Sequence, residues 1–476
     1  MNKIAMLPVS LPFLLLAMGY GSENKVLLNT VLLDDDARIR RQPVQEDILE
    51  RNKEPNKISQ KLGKITPYLK KINGFLDSQY RFRATSSDDD HDLYETLGLD
   101  VGKELSFHFL GRAAVDLDGN QGKSSYAAFD SLADTYSKSI DAKLFSAYLD
   151  YNKLEKVDQL RLGRQTLYQT PEIAFFDGLN VESSELGRLK GQVGVYGGVP
   201  VHLYESSSSN DYIIGLNGSI SPWWGSNARL DWMRVKDAYK TNLHENDLFN
   251  LGLKQKINDK VRLSAAYSLL ESESRDLSLK GYYQDAEHDL QLYVSYYKLL
   301  NSQEDHAMEF NPYQAILRDM KPYCQVHFLA SKGLGENLFI EAGVDVRTLD
   351  ESGDKGTYNR EYTRYYLSPA WYDNPWPGFS VGITGEIWDS EGRDIATYGL
   401  DLSHRCSEKL KVSLSSYFSL YKYDIYTDTE RDDVQSYTLK CKYALRKNLK
   451  LRVSYDYEDD DYESYHIIKS GVQCHF

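Results

Sequence analysis

A strict two-residue alternation of apolar and polar side chains governs this chain from about residue 73 to its end. Between Leu449 and Glu458, one parity holds Leu449, Leu451, Val453, Tyr455 and Tyr457, and the other holds Lys450, Arg452, Ser454, Asp456 and Glu458. Successive side chains of a strand point to opposite faces, so this run makes a strand with one greasy and one wet face. A helix would scatter both sets around its axis. The same split sets Leu338, Ile340, Ala342, Val344 and Val346 against Glu341, Gly343, Asp345 and Arg347, and Val261, Leu263, Ala265, Tyr267 and Leu269 against Arg262, Ser264 and Ser268. It recurs from Leu290 to Tyr296, from Phe107 to Asp116 and from Leu410 to Leu420. Repeated segments of about ten residues with no helical stretch between them predict an all-β fold, a transmembrane antiparallel up-and-down barrel. A soluble sandwich alternates too, but its short strands recur every 8–12 residues or so. A solenoid would show a fixed repeat, and none is visible.

Composition narrows the partners. With 70 Asp and Glu against 56 Lys and Arg, the net charge of −14 leaves no basic face for nucleic acid. Past the first 22 residues no run reaches the roughly 18 apolar residues of a membrane helix. Tyr, at 37, far outnumbers Phe, at 16. That excess suits the aromatic girdles of a barrel in outer-membrane lipid.

Residues 1–22 read as a secretory signal, with Lys3, an apolar stretch from Ile4 to Met18 and a small-residue exit from Gly19 to Ser22. Pro8 and Pro12 interrupt the stretch, which counts against a membrane anchor. Residues 23–72 lack the alternation. They carry Asp34–Asp36 and Arg38–Arg41, and Ile58, Leu62 and Ile65 have the spacing of one short helix before Pro67. A solvated linker is one expectation for this stretch. The other is a periplasmic arm that enters the lumen or docks a protein partner. About 50 residues fall short of the folded plug found in 22-stranded energised transporters.

The connections alternate in kind. Short turns lie at Gly102–Lys103, Asn258–Asp259, Gly333–Asn337, Asn374–Gly378, Ser407–Lys409 and Arg446–Asn448. Longer acidic ones are expected at Asp88–Asp92, Gly119–Lys138, Ser302–Met320, Asp350–Asn359, Asp424–Asp433 and Glu458–Glu463. Outer-membrane barrels put short turns in the periplasm and long loops outside, and bacterial ones have even strand numbers. The count predicts about 22 strands, within about 18–22, over residues 73–476, with residues 169–200 the least defined. Both termini would face the periplasm.

The chain ends Gln473-Cys474-His475-Phe476. A terminal Phe closing an alternating strand resembles the signal that outer-membrane barrels present to the barrel-assembly machinery. With Phe476 toward lipid, Cys474, Val472 and Ile468 share its face, and Lys469, Gly471, Gln473 and His475 face the lumen. The same phasing puts Cys324, Cys406 and Cys441 on apolar faces, where Cys acts as a small hydrophobe. Disulfides are the alternative in an exported chain. No zinc or haem spacing is present, so no cofactor is expected.

Over roughly residues 73–476 the chain resembles Gram-negative outer-membrane porin-like proteins. Leu160-Arg161-Leu162-Gly163-Arg164-Gln165 and Phe176-Asp177-Gly178-Leu179 are similar to a stretch of alginate-export-like porins. The resemblance implies passive passage of small solutes or a polysaccharide, although no dense basic pathway for alginate is apparent. Strict phasing places Arg164 in lipid. A bulge there, or a position above the membrane band, is therefore expected.

The inward parity is charged with both signs. The candidate pore-lining residues are Arg81, Arg112, Arg161, Arg229, Arg262, Glu341, Asp345, Glu386, Asp401, Lys440 and Arg452. Opposed charges across a lumen set ion selectivity, and the basic lean implies a modest anion preference. A barrel sheathing a partner such as a multihaem cytochrome is the alternative function. An enzyme is not expected, because the ten His are scattered with no nucleophile beside them in sequence. Acidic groups such as Asp88–Asp90 could take Ca²⁺, but without EF-hand spacing a solvated loop is the simpler expectation.

Overall fold

A computed structural model describes residues 72–476, apart from 87–88, 103–106, 119–138, 152–153, 169, 203–209, 238–243, 302–320, 351–360, 374–375, 391–392, 425–428 and 460–463. The expected leader and all but the last residue of the expected arm lie outside the described residues. Twenty-two strands follow one another, each antiparallel to the next, and the last pairs with the first. The first sector is β1 (Ile72–Ala84), β2 (Asp89–Val101), β3 (Phe107–Asp118) and β4 (Ile140–Tyr151). Then come β5 (Val157–Leu167), β6 (Ala174–Ser183), β7 (Gln192–Pro200), β8 (Tyr212–Ile220), β9 (Ser226–Asp237), β10 (His244–Lys256) and β11 (Val261–Leu270). The third sector is β12 (Glu273–Asp285), β13 (Leu290–Leu299), β14 (Tyr323–Leu334), β15 (Leu338–Leu349), β16 (Tyr362–Tyr372) and β17 (Phe379–Ser390). The ring ends with β18 (Arg393–Arg405), β19 (Leu410–Asp424), β20 (Thr429–Arg446), β21 (Leu449–Asp459) and β22 (Ser464–His475).

The expected parity is the observed one. Val453, Leu439, Leu414, Leu400 and Ile383 stand exposed on one face, between 40% and 50% accessible, while their neighbours of opposite parity are half-buried or buried. Covering such a side chain is worth about 1.5–3 kcal/mol. A continuous exposed belt of them therefore calls for hydrocarbon. Trp223, Trp224 and Trp376 stand exposed in short turns at one rim, and Tyr80, Tyr365, Tyr398 and Tyr455 stand outward nearer the other. These are the two aromatic girdles.

The ring closes from Phe75 opposite His475 to Ala84 opposite His466. Phe476 continues the seam. Its N–H donates to the Gly74 carbonyl at 2.9 Å, the Gly74 N–H donates back at 2.8 Å, and its ring lies where a Cβ on residue 74 would be. Val472, Ile468 and Phe476 share the outer face as expected. Short turns crowd the rim that holds both chain ends. At one of them, Asn258 Oδ1 accepts from the Lys260 and Val261 N–H groups at 2.8 Å, a side-chain turn that Asn favours.

Three stretches expected as loops are partly strand. Asp89–Asp92 opens β2, Thr429–Asp433 opens β20, and Glu458 and Asp459 finish β21. The acidic start of β2 is tolerated because its inward members meet arginines, as described below. Gly119–Lys138 and Ser302–Met320, and most of Asp350–Asn359, lie outside the described residues. Cys324, Cys441 and Cys474 sit on the outer parity, but Cys406 falls one residue past β18, in a turn. All four are free thiols.

One arc departs from a uniform wall. From β5 to β11 the inward parity is apolar and buried toward the rim away from the chain ends, while Arg161, Asn180, Arg229, Asp231 and Arg262 keep the rest of it polar. Leu167, Ala174, Phe176, Tyr196, Ile213, Met233, Val235, Leu248 and Leu270 form one cluster. Within the arc, Gly178 and Gly198 pair in close backbone approach. A Cβ on either would fall on the backbone of the other strand. The arc separates from the first sector above Arg164, because β4 and β5 pair only from Ala147 opposite Arg164 to Tyr151 opposite Leu160.

Candidate functional site

All eleven candidate residues lie on the parity opposite the exposed apolar belt, but they do not form one site. Arg81 on β1 binds Asp92 on β2 through Nε at 2.8 Å and Nη2 at 2.5 Å, and stacks over Tyr94 at 4.8 Å. Arg83 binds Asp90 beside it. Arg161 grips Asp150 with two bonds of 2.6 and 3.0 Å and lies 3.9 Å over the Tyr148 ring. Arg229 binds Asp231, two residues along its own strand, at 2.7 Å. Arg112 lies over Phe145 at 5.5 Å, and Arg262 is exposed. The Arg81, Arg83 and Arg161 pairs brace adjacent strands, and the two-oxygen grip of Arg161 on Asp150 fixes register as well as charge.

A second group lies on β14–β17. Asp345 is fully buried and accepts from Gln325 Nε2 at 3.0 Å and the Tyr362 hydroxyl at 3.3 Å. Glu386 accepts from Arg364 Nη2 at 2.6 Å and from the Trp388 indole. Glu341 occupies the same face one step nearer the chain-end rim. His327, Arg347, Arg364 and Tyr366 join this group and were absent from the sequence candidates. Their inward parity was readable, and Arg347 was already placed on it. No pattern marked any of the four as special.

The third group is the wall of β18–β22. Asp401 accepts from the Tyr417 hydroxyl at 2.8 Å. Lys440 faces the interior beside Ser413 and Ser454, and Arg452 reaches across the closing seam to Asp77. Arg405, Lys411, Lys442 and Lys450 lie on the same inward face toward the chain-end rim, with Lys411 opposite Lys442 and Lys442 opposite Arg452. At that rim a cavity of about 1030 Å³ opens between β12 and β19, with Asp285, Phe339, Phe379, Arg405 and Lys411 in its lining.

Arg164 faces outward in regular register opposite Asp177, three residues before the end of β5. The expected bulge is not at this position. The Arg is instead neutralised: it binds Asp177 at 2.8 and 2.6 Å and donates to the Leu144 carbonyl at 3.0 Å, where the β4–β5 ladder has run out. A paired guanidinium is far less costly on an apolar face than a bare one.

A further ion pair ties a connection to a distant strand. Glu172, in the connection between β5 and β6, binds Arg275 on β12 at 2.6 Å across the mouth of the apolar arc. Arg275 is 3% exposed. Burial pushes the Glu172 carboxyl up to about 7 despite that partner, and Asp276 adds to the rise.

Several of the described His residues bind carboxylates and phenols. His108 lies 2.8 Å from Asp100, His91 meets Tyr80 and Asp89, and His466 meets Tyr455. Among the described residues, one group could offer three metal ligands: Asp285, Glu287 and His288 in a chain-end turn. There Asp285 is already taken by Lys260 at 2.9 Å and His288 at 3.0 Å, and the other two are exposed.

No protein-family model matches the chain, and no curated protein matches it. Solved structures do. The siderophore receptor PirA from Pseudomonas aeruginosa aligns with a TM-score of 0.53 at 10% identity over 85% of this chain and 80% of that one. The ferric enterobactin receptor PfeA aligns at 0.52 and 9% identity over 85% and 81%. Pseudomonas aeruginosa OccK2 aligns at 0.40 and 10% identity over 85% and 97%. The similarity to alginate-export-like porins finds no counterpart among these matches. The closed ring of 22 antiparallel strands shares the fold of these receptor structures: the chain is a closed 22-stranded β-barrel of the outer-membrane type.

Proposed function

We propose that this protein is an outer-membrane channel for the passive passage of small hydrophilic solutes and ions, with a modest preference for anions. One observation carries this reading: the inner wall of β18–β22 presents Lys411, Lys440, Lys442, Lys450 and Arg452 on a face that is half-buried or open, opposite an outer face of bare hydrocarbon. A ring of 22 strands is wider than its own side chains fill. Basic groups in a narrow wet space attract anions and repel cations. The pairs around Arg81, Arg161 and Arg229 act as struts beside that wall. In this reading the chain-end rim faces the periplasm, residues 1–22 are a cleaved leader, and Phe476 engages the assembly machinery. No catalytic group is invoked, and no observation favours a sheath around a cytochrome.

Planar-bilayer recordings of the purified chain in a salt gradient test the proposal. Stable conductance steps with an anion-selective reversal potential are expected. A barrel that inserts but stays silent, or one that selects cations, overturns it.

A further inference from the structure

The inner faces of β14–β16 hold an excess of hydrogen-bond donors that the wall does not meet. Arg347 stacks at 3.9 Å over the Tyr323 ring, yet its Nε and Nη2 are buried with no acceptor. Arg364, 2% exposed, spends Nη2 on Glu386 and leaves Nε without one. His327 is 2% exposed with neither ring nitrogen bonded, and the Tyr366 hydroxyl is buried and unbonded. The register brings these groups together. His327 is opposite Asp345, Asp345 is opposite Arg364, and Tyr366 follows Arg364 on the same face with its ring 4.9 Å from that guanidinium. Arg347 is opposite Tyr362, which makes it the diagonal neighbour of Arg364, about 7–8 Å away at Cα.

An unmet buried donor is costly, and more so when it is charged. The nearest carboxylate does not relieve these, because Asp345 is taken by Gln325 and Tyr362. The guanidinium N–H groups of Arg347 and Arg364 can only donate, and His327 and the Tyr366 hydroxyl can each donate as well, so the unmet positions together favour an anion over a cation. Among the described residues Arg347 has no carboxylate partner within ion-pair reach, so a water could fill its geometry but not balance its charge.

We propose that this patch binds one compact oxyanion, a carboxylate or phosphate group, held by the unmet N–H groups of Arg347 and Arg364, with His327 and the Tyr366 hydroxyl beside it. The site deepens the channel reading by naming a ligand class, and it rests on that reading only for access through the lumen.

Isothermal titration of the detergent-solubilised full chain with sodium phosphate and, separately, with sodium benzoate tests it. Saturable one-site binding of at least one probe is expected, weakened tenfold or more by Arg347→Gln and about threefold by Tyr366→Phe. Preference between the probes tells phosphate from carboxylate. No saturable binding of either, or binding unchanged in Arg347→Gln, overturns the site. Should Arg347→Gln lose the heat-modifiable gel shift of a folded barrel, Arg347→Lys and Tyr366→Phe carry the test, because each keeps charge or ring in place. Conductance without binding would sink the site and leave the channel. Binding without conductance would do the reverse.

Discussion

The arc from β5 to β11 and the wall from β18 to β22 obey the same alternation, yet their inner faces are opposites. In the arc, inward Phe176, Ile213, Met233, Val235 and Leu248 are sealed from solvent, at 0–1% exposure. In the wall, inward Lys440, Lys442 and Arg452 remain partly open. Outer faces are alike, with Leu216 and Leu230 on the arc as bare as Leu439 and Val453 on the wall. Alternation thus fixes which side chains meet lipid, but not what the inside is for. Where inner apolar side chains meet one another, they make a core. Where the wall stays open, inner side chains must be solvated and charged.

The widest separation between the two regions is expected from a buried charge. Met233→Asp puts an unpaired carboxylate into a sealed cluster and should cost about 3–5 kcal/mol, enough to abolish the folded, heat-modifiable band. Lys440→Asp on the wall should fold normally, within about 0.5 kcal/mol. Equal tolerance of both changes would erase the distinction. Next in size is Phe176→Ala, which removes a ring from the same cluster at about 3–5 kcal/mol where the site cannot collapse, read as a lowered thermal midpoint.

The wall answers to transport rather than stability. Lys440→Glu with Lys442→Glu should move the reversal potential toward cations while leaving the melting curve close to that of the parent. A melting change without a selectivity change would make these lysines struts. On the outer face of the arc, Asp177→Asn should destabilise by about 2–4 kcal/mol, because it leaves Arg164 bare on the lipid face. Replacing both partners by Leu should recover most of that loss.

The smallest effect concerns acidity. Glu172 holds its proton more tightly folded than unfolded, since burial raises its carboxyl from 4.5 to about 7. Its contribution to stability is therefore full below about pH 4.5 and declines as pH climbs through about 7. The thermal midpoint should fall slightly between about pH 5 and 8, and Glu172→Gln should flatten that slope. An upward slope that Glu172→Gln removes would reverse the sign assigned here.

Much of this was legible in the chain. Leu449 to Glu458 showed its two faces without ambiguity, and the terminal parity from Ile468 to Phe476 placed the seam. Strand bounds failed at Asp89–Asp92 because acidic residues read as loop, whereas an inward Asp facing an Arg is strand chemistry. Neither partner announces the other across a turn. The arc was hidden for a related reason. Tyr212-Ile213-Ile214-Gly215-Leu216 is apolar on both parities, the mark of a strand covered on both faces. With Gly178, Gly194, Gly197 and Gly198 nearby it blurred the strand count instead of revealing a core. The unmet donors of Arg347 and Arg364 have no sequence signature, because satisfaction depends on three dimensions.

Thiol labelling most directly tests the opposition between the two regions within one alternating barrel. In a background with the four native cysteines replaced by Ser, the single changes Ser454→Cys, Val453→Cys and Met233→Cys would be exposed to a membrane-impermeant maleimide in liposomes. Fast modification is expected at 454 alone, with 453 shielded by lipid and 233 by its neighbours. Rapid labelling at 233 would deny the sealed arc, and labelling at 453 equal to that at 454 would deny the lipid-facing parity itself.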